Sequence, residues 1–123
     1  MYEDVVSIQP EEYLQCERAA EFRSEYWFGR LLVMSGGTEN HELIASNLRL
    51  HTQNALQGSG CRVFGSSMKV GITTRRGFAY PDLTIVCGER LFFDAVRDVL
   101  MNPVVIFEVL SESTRSFDLA AKF

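Results

Sequence analysis

Two segments, Phe78-Ala-Tyr-Pro-Asp-Leu-Thr-Ile-Val86 and Val104-Val-Ile-Phe-Glu-Val-Leu110, decide how this sequence is interpreted, because each has the composition of a buried strand yet contains an acid. Burying an unpaired carboxylate costs several kcal/mol or forces it to take up a proton, so such acids are usually paired, bound to metal or catalytic. Side chains alternate across a strand, so two neighbouring strands can bring Asp82 and Glu108 to one face. The sequence therefore predicts a site built on these two carboxylates.

The composition is that of an ordinary globular domain. The chain has 123 residues, of which 46% are hydrophobic and 23% are charged. This predicts a single domain over residues 1–123 with a real hydrophobic core. No apolar stretch approaches the ~18 residues of a membrane span, and the acidic start differs from the basic start of a secretory signal. We therefore expect a cytoplasmic protein that makes no membrane contact.

The net charge of −4 argues against a protein that simply coats nucleic acid, since such binding depends on Lys and Arg neutralising phosphates. It does not argue against an enzyme that uses a divalent cation, because the ion is then the largest local charge. Lysine is scarce, and Lys69 and Lys122 are its two occurrences. Any chemistry that needs an ammonium group therefore has two candidates.

The three cysteines, Cys16, Cys61 and Cys87, lie far apart in the sequence. They form no Cys-x-x-Cys pair and show no zinc-ligand spacing with histidine. Thiols of intracellular proteins are usually kept reduced. We therefore predict no zinc site and three reduced, buried thiols.

Local patterns predict an α/β chain in which helices alternate with short strands. Pro10 begins a helix that runs to about Phe22, and Thr38 caps a longer helix that runs to about Leu56. An apolar stripe along the longer helix is expected to pack on the core. Residues 88–103 carry no decisive pattern and receive no assignment. The remaining elements are a hairpin over residues 25–34 with its turn at 28–30, strands over 61–64, 67–72, 78–86 and 104–110, and a last helix after 111–114.

Several short segments occur in an order that is specific as a set, although each segment alone is common. They are Pro10-Glu-Glu-Tyr-Leu14, Ser24-Glu-Tyr26 with Gly29, Met34-Ser-Gly-Gly37, His41, Cys61-Arg-Val-Phe-Gly65, Tyr80-Pro-Asp82, Asn102-Pro103, Glu108-Val-Leu-Ser111, Asp118 and Lys122. This set resembles the bacterial Uma-two family of restriction endonucleases, which belongs to the PD-(D/E)XK nuclease superfamily. The resemblance covers nearly the whole chain.

The resemblance implies a restriction-endonuclease-like fold, in which a mixed sheet is flanked by helices and preceded by an N-terminal helix and β-hairpin. It also implies an endodeoxyribonuclease that hydrolyses phosphodiester bonds of DNA with Mg²⁺ or Mn²⁺ held by Asp82 and Glu108. The residue types fit this chemistry, because Mg²⁺ prefers oxygen ligands and usually keeps several waters.

The lysine of the superfamily is displaced in this sequence. The position two residues after Glu108 holds Leu110, and in the resembling family the lysine comes from the following helix. Lys122 matches that place and is assigned as the third catalytic residue by the resemblance. It lies four residues after Asp118, on the same helical face. An ordinary solvated surface pair is the alternative interpretation of Asp118 and Lys122.

Glu25 and His41 also match the family and are candidate accessory residues, as a further ligand or a phosphate contact. A plain surface position is the alternative for each. Lys69, Arg75 and Arg76 lie on or beside a predicted strand hairpin, where basic side chains could contact a DNA backbone. A solvated turn explains these three basic residues equally well.

Members of the resembling family usually continue beyond Phe123 with a further strand and helix. We therefore expect an exposed sheet edge, and a homodimer formed through that edge or by exchange of elements. Two other functions remain open. One is a catalytically inactive nuclease-fold remnant that binds DNA or another protein. The other, argued from the paired acids alone, is a glycosidase, which ranks last because sugar sites usually need aromatic platforms and Trp27 lies far upstream.

Overall fold

The computed structural model describes residues 8–34, 36–72 and 76–110. Within these ranges two helices and eight short strands occur, and six of the strands follow the second helix in succession; this content confirms the predicted α/β class. The last helix, predicted after 111–114, lies outside the described residues. The elements are α1 (Pro10–Ala19), β1 (Ser24–Trp27), β2 (Arg30–Val33), α2 (Glu39–Ala55), β3 (Cys61–Phe64), β4 (Lys69–Ile72), β5 (Gly77–Ala79), β6 (Leu83–Cys87), β7 (Val99–Leu100) and β8 (Val105–Phe107).

The strands form a larger sheet with the order β2-β1-β5-β4-β7 and a smaller sheet with the order β3-β6-β8. Neighbouring strands are antiparallel, except that β4 and β7 are parallel. The larger sheet is therefore mixed, as predicted. β7 lies in the segment that received no assignment from the sequence, because a strand of two residues is too short to show a periodic pattern.

The first helix begins where the sequence predicts. Pro10 stands in the first turn, where a missing N–H removes no intrahelical bond. The Gln9 backbone N–H donates to Glu12 Oε1 at 3.0 Å, which is half of a capping box. The helix ends at Ala19, before the predicted end, because Ala20 adopts an extended backbone.

The hydrophobic core lies between α1 and the larger sheet. Tyr13 and Leu14 of α1 cluster with Tyr26 of β1, Phe78 of β5 and Val99 of β7. The Tyr13 ring stacks on the rings of Tyr26 and Phe78, with centroid distances of 5.1 and 5.3 Å. Such aromatic pairs stabilise by about 0.5 to 1.5 kcal/mol beyond the area that they bury. This core gives firm support to the chain segment that leads from β5 into β6.

The predicted hairpin is confirmed. β1 and β2 pair from Ser24 with Val33 to Trp27 with Arg30. The two linking residues, Phe28 and Gly29, have φ angles of 53° and 82°. A two-residue hairpin turn with both φ angles positive matches the right-handed twist of the flanking strands, and glycine adopts such an angle without steric cost.

The long helix α2 is confirmed, but the packing of its apolar stripe is not. Thr38 caps the helix by accepting the His41 backbone N–H at 3.3 Å. α2 contacts β3, yet none of its residues is buried. Leu43 and Leu50 lie seven positions apart on one face, and each is 53% exposed. The described part of the chain therefore leaves this apolar face uncovered.

The prediction of three reduced, buried thiols was wrong. Cys61 and Cys87 lie opposite each other in the β3–β6 ladder and form a disulfide, with their Cα atoms 3.9 Å apart. Cys16 is free and exposed. The pairing depends on the register between two strands that are distant in sequence, so the spacing of the cysteines did not reveal it.

Candidate functional site

Asp82 and Glu108 lie at the same end of two neighbouring strands. β6 and β8 pair antiparallel, and Leu83 opposite Phe107 is the last pair of their ladder at this end. Asp82 precedes Leu83 and Glu108 follows Phe107, so each acid lies one residue outside its strand. The prediction of single strands over 78–86 and 104–110 was therefore wrong: the first segment divides into β5 of the larger sheet and β6 of the smaller sheet, with Asp82 in the link between them, and the second contains only the short strand β8. The strands β6 and β8 are nevertheless neighbours.

The Asp82 carboxylate is held on both of its oxygens. The Val109 backbone N–H donates to Oδ2 at 2.7 Å, which ties the carboxylate to the chain leaving β8. Oδ1 lies 3.1 Å from Nε2 of His41. The Asp82 side chain is 14% exposed, so it opens to solvent only along one side. Glu108 is half-buried and has contacts of its own.

The His41 side chain extends to Asp82 from the first turn of α2. Its side chain is 22% exposed. Its second ring nitrogen, Nδ1, is buried and has no hydrogen-bond partner among the described residues. Oε2 of Glu42 lies 3.8 Å from Nδ1, which is beyond hydrogen-bond distance. The structure thus brings together Asp82 and His41, two of the residues that the sequence singled out.

Glu25 is placed differently. It is only 3% exposed, and Oε1 accepts the indole N–H of Trp27 at 3.1 Å while Oε2 accepts the Tyr80 backbone N–H at 2.9 Å. The Glu25 carboxylate holds the backbone of Tyr80 in place, and Tyr80 lies two positions before Asp82. Glu25 therefore supports the start of the acid-bearing segment, and the plain surface alternative for it was wrong.

Glu17 of α1 is a polar anchor that the sequence did not single out. Its Oε2 accepts the Tyr80 hydroxyl at 2.5 Å and the Ser24 backbone N–H at 3.0 Å. Burial, followed by the hydrogen bond to Glu17, raises the pKa of the Tyr80 hydroxyl. The available signal was helical spacing, since Glu17 lies four residues after the core residue Tyr13 and so faces the same side of α1.

Lys69 is not exposed for contact with DNA. Its side chain is 8% exposed, and Nζ pairs with Asp98 Oδ2 at 3.3 Å. The ammonium also lies 5.4 Å from the centre of the Tyr80 ring, as does the guanidinium carbon of Arg23. A DNA contact by Lys69 is therefore incompatible with the fold. Arg76 is exposed, and Arg75 lies outside the described residues.

Asp98 is the centre of an ion-pair cluster beside this region. The guanidinium of Arg18 donates to Asp98 Oδ1 at 2.6 Å and to Asp94 Oδ1 at 3.0 Å. The hydrogen bond from Arg18, followed by the nearby charge of Lys69, lowers the pKa of Asp98 from 3.8 to about 2. The cluster links α1 and β4 to the segment that precedes β7.

The oxygens of Asp82 are suited to the divalent cation that the family resemblance implies. In the described part of the chain Oδ2 accepts the Val109 N–H and Oδ1 lies against His41 Nε2, and an ionised carboxylate oxygen has a second acceptor site. The hard oxygen donors therefore fit Mg²⁺ or Mn²⁺. Among residues 8–34, 36–72 and 76–110, no three side chains of His, Cys, Asp or Glu already form a cluster that could hold an ion. Asp118 and Lys122 lie outside these ranges.

The mixed α/β fold of this chain is also found in a solved structure. A solved structure described as "a putative nuclease belonging to DUF820", from Anabaena variabilis, superposes with a TM-score of 0.70 over 90% of this chain and 65% of that chain, at 17% sequence identity. That likeness concerns the fold alone. In addition, the Uma2 family, described as "Putative restriction endonuclease", matches residues 10–123. The chain belongs to this family.

Two relatives come from Synechocystis sp. (strain PCC 6803), and both are named as uncharacterized proteins. The first, slr1290, is 33% identical over 116 residues, which is 94% of this chain and 60% of the relative. The second, sll1609, is 32% identical over 112 residues, which is 91% of this chain and 63% of the relative. The chain thus spans about three-fifths of the length of these relatives. In its described residues, no helix is both long and apolar enough to cross a membrane.

Proposed function

We propose that this protein is a metal-dependent nuclease that hydrolyses phosphodiester bonds of DNA, with Asp82 and Glu108 as the carboxylates that bind Mg²⁺ or Mn²⁺. The observation that supports the proposal is the antiparallel pairing of β6 with β8, because Asp82 directly precedes β6 and Glu108 directly follows β8 at the same end of the pair. Membership of the restriction endonuclease family supports the reaction class. The predicted cytoplasmic location fits such an enzyme and stays a prediction.

In the proposed mechanism, the protein holds two carboxylates in place so that they bind one divalent cation. The Val109 N–H contacts Oδ2 of Asp82, and His41 contacts Oδ1. The second lone pair of each oxygen stays available to bind the cation. Glu108 contributes the second carboxylate from the residue that follows β8. A bound divalent cation supplies stabilisation of the charge that develops on the phosphate and lowers the pKa of an attacking water.

Lys122 is proposed to supply the ammonium group that completes the site. Its role follows from the family pattern, since Leu110 occupies the strand position that carries lysine in the simplest members of the superfamily. An ammonium group beside the scissile phosphate would donate hydrogen bonds to its oxygens and offset their charge. Lys122→Met should therefore lower the cleavage rate while leaving the affinity for Mn²⁺ unchanged.

The decisive experiment measures nicking of supercoiled plasmid DNA with Mg²⁺ or Mn²⁺. Asp82→Asn and Glu108→Gln should each lower the rate by roughly 100-fold or more, the scale of losing one charge-stabilising group. Glu89→Gln is the matched control, because Glu89 is an exposed carboxylate on the loop after β6 and should cleave at the wild-type rate. Wild-type cleavage by Asp82→Asn or Glu108→Gln would contradict the assignment of the site.

A catalytically inactive nuclease-fold protein is the second candidate. It is favoured by Leu110 in the lysine position and by the lack of a ready three-residue ion cluster in the described residues. This candidate predicts no cleavage with any metal, together with DNA binding that weakens steeply with salt. Measuring DNA binding and cleavage on the same preparations therefore separates the two candidates.

A homodimer through an exposed sheet edge is proposed as the assembly. In the described part of the chain β8 is an edge strand of the smaller sheet, and Val104 and Val105 beside that edge are exposed. Exposed strand edges favour pairing with another chain, and charged residues block it. Val105→Lys should therefore convert a dimer to a monomer in analytical ultracentrifugation. A monomeric wild-type protein would contradict this proposal without affecting the nuclease assignment.

A further inference from the structure

The contact between His41 and Asp82 connects the first turn of α2 with the residue that precedes β6. His41 occupies the first turn of α2, where the Thr38 side chain accepts its backbone N–H and fixes its position. From there the imidazole places Nε2 at 3.1 Å from Asp82 Oδ1. In addition to the packing of α2 on β3, this side-chain contact connects α2 with the smaller sheet at the candidate site.

The contact with His41 restricts the orientation of the Asp82 carboxylate. The Val109 N–H restrains Oδ2 from the β8 side at 2.7 Å, and His41 restrains Oδ1 from the α2 side. A planar carboxylate held at both oxygens cannot rotate freely about its terminal bond. Each oxygen keeps an acceptor site in a fixed direction, which is the geometric requirement for a preorganised ligand.

The second ring nitrogen decides between two roles for His41. A histidine that binds a metal usually donates its other N–H to a carboxylate, a carbonyl or water, which orients the ring. Among the residues that the structure describes, Nδ1 of His41 is buried with no such partner, and Glu42 Oε2 at 3.8 Å is too distant. The ring therefore lacks the support that a ligand at Nε2 needs, whereas Nε2 is placed to donate to Asp82.

We propose that His41 is a positioning residue, which donates its Nε2–H to Asp82 Oδ1 and so orients the carboxylate for a divalent cation. This inference rests on the proposed function, because it assigns a role within the same site. His41 contacts the ligand and not the ion. An amide that donates from the same place should then replace it, whereas an apolar ring of similar size should not.

Metal affinity provides the first test, with Mn²⁺ alone as the probe and electron paramagnetic resonance as the measurement. His41→Phe should lower the Mn²⁺ affinity by roughly 10- to 100-fold, the usual effect of losing a hydrogen-bond partner of a ligand. His41→Gln, which can donate from its amide nitrogen, should stay within about threefold of the wild type. Glu42→Gln, a change at the neighbouring residue that alters no donor to Asp82, should bind as the wild type does. A His41→Gln variant as weak as His41→Phe would overturn the positioning role.

Histidine NMR provides a test that does not depend on cleavage. The chain has two histidines, and the exposed His51 serves as an internal reference. In its neutral form, His41 should carry its proton on Nε2. It should keep that proton when Mg²⁺ is added and lose the preference in Asp82→Ala. Loss of the Nε2 proton with Mg²⁺ would identify His41 as a ligand and overturn the proposal.

The two proposals fail in different ways. Wild-type protein that binds Mn²⁺ but cleaves no DNA would refute the nuclease assignment and leave the role of His41 to be decided by the affinities. Wild-type protein that binds no Mn²⁺ would refute both. Thermal unfolding of each variant shows whether a lower affinity reflects the lost hydrogen bond, since His41→Gln and His41→Phe lie at the same partly exposed position.

Discussion

Replacing Asp98 with asparagine tests the ion-pair cluster that supports the larger sheet. The substitution keeps the shape of the side chain and removes its charge. Arg18 then retains Asp94, whereas Lys69, with a side chain only 8% exposed, loses the carboxylate at 3.3 Å. Removing one partner of a buried ion pair is strongly destabilising, because the other charge is left without compensation.

The pKa of Asp98 sets the scale of the effect. Its lowering from 3.8 to about 2 corresponds to roughly 2 kcal/mol in favour of the folded state at neutral pH, at about 1.4 kcal/mol for each pH unit. Asp98 is 29% exposed, so solvent screening makes this an upper value for its own charge. Adding the cost at Lys69, we expect Asp98→Asn to lower the free energy of unfolding by about 2 to 4 kcal/mol.

The sign of the pH dependence follows from the same lowering. A carboxyl group whose pKa is depressed by folding stabilises the folded state above its unfolded pKa of 3.8, and this contribution is lost as the pH falls toward about 2. The difference in stability between wild type and Asp98→Asn should therefore be largest near neutral pH. It should shrink as the pH is lowered from about 4 to about 2.

The assay is urea unfolding followed by the fluorescence of Trp27, the chain's single tryptophan. Asp94→Asn is the matched control, because Asp94 contacts the same Arg18 but is more exposed and has no contact with Lys69 among the described residues. It should cost at most about 1 kcal/mol. Equal unfolding free energies for Asp98→Asn and Asp94→Asn at neutral pH would refute the argument from the buried lysine.

Two further predictions concern close packing and the disulfide. Gly77→Ala should destabilise the protein by about 1 to 3 kcal/mol, because a Cβ there would lie 2.5 Å from two ring atoms of Trp27. Gly36→Ala is the control and should be neutral, since a Cβ at Gly36 would meet no described atom within 4 Å. Equal melting temperatures of the two variants would be inconsistent with this packing. Reduction of the Cys61–Cys87 disulfide, which spans a sequence separation of 26, should lower stability by about 3.5 kcal/mol on the loop-entropy estimate. Thermal unfolding with and without dithiothreitol measures this, and a Cys61→Ser variant that still responded to the reductant would exclude the disulfide as the cause.

Local patterns were a good guide wherever a short segment decides its own conformation. The turn of the hairpin needed a residue such as Gly29 that accepts a positive φ, and Pro10 and Thr38 marked helix starts through their own backbone and side-chain chemistry. The predicted ends of elements were less accurate, since α1 ends at Ala19 and not at about Phe22. A strand of two residues, such as β7, has too little length to be recognised.

The sequence by itself determined most of the element types, because backbone propensity and side-chain alternation act over a few residues. It did not place the two acids correctly, since Asp82 and Glu108 lie one residue outside β6 and β8. Only the tertiary structure decided that β6 and β8 are neighbours, that Cys61 pairs with Cys87, and that His41 reaches Asp82. These relations depend on register and packing between segments that are distant in the chain. A shift of one residue in such a register would move every side chain to the other face, and no local pattern encodes that choice.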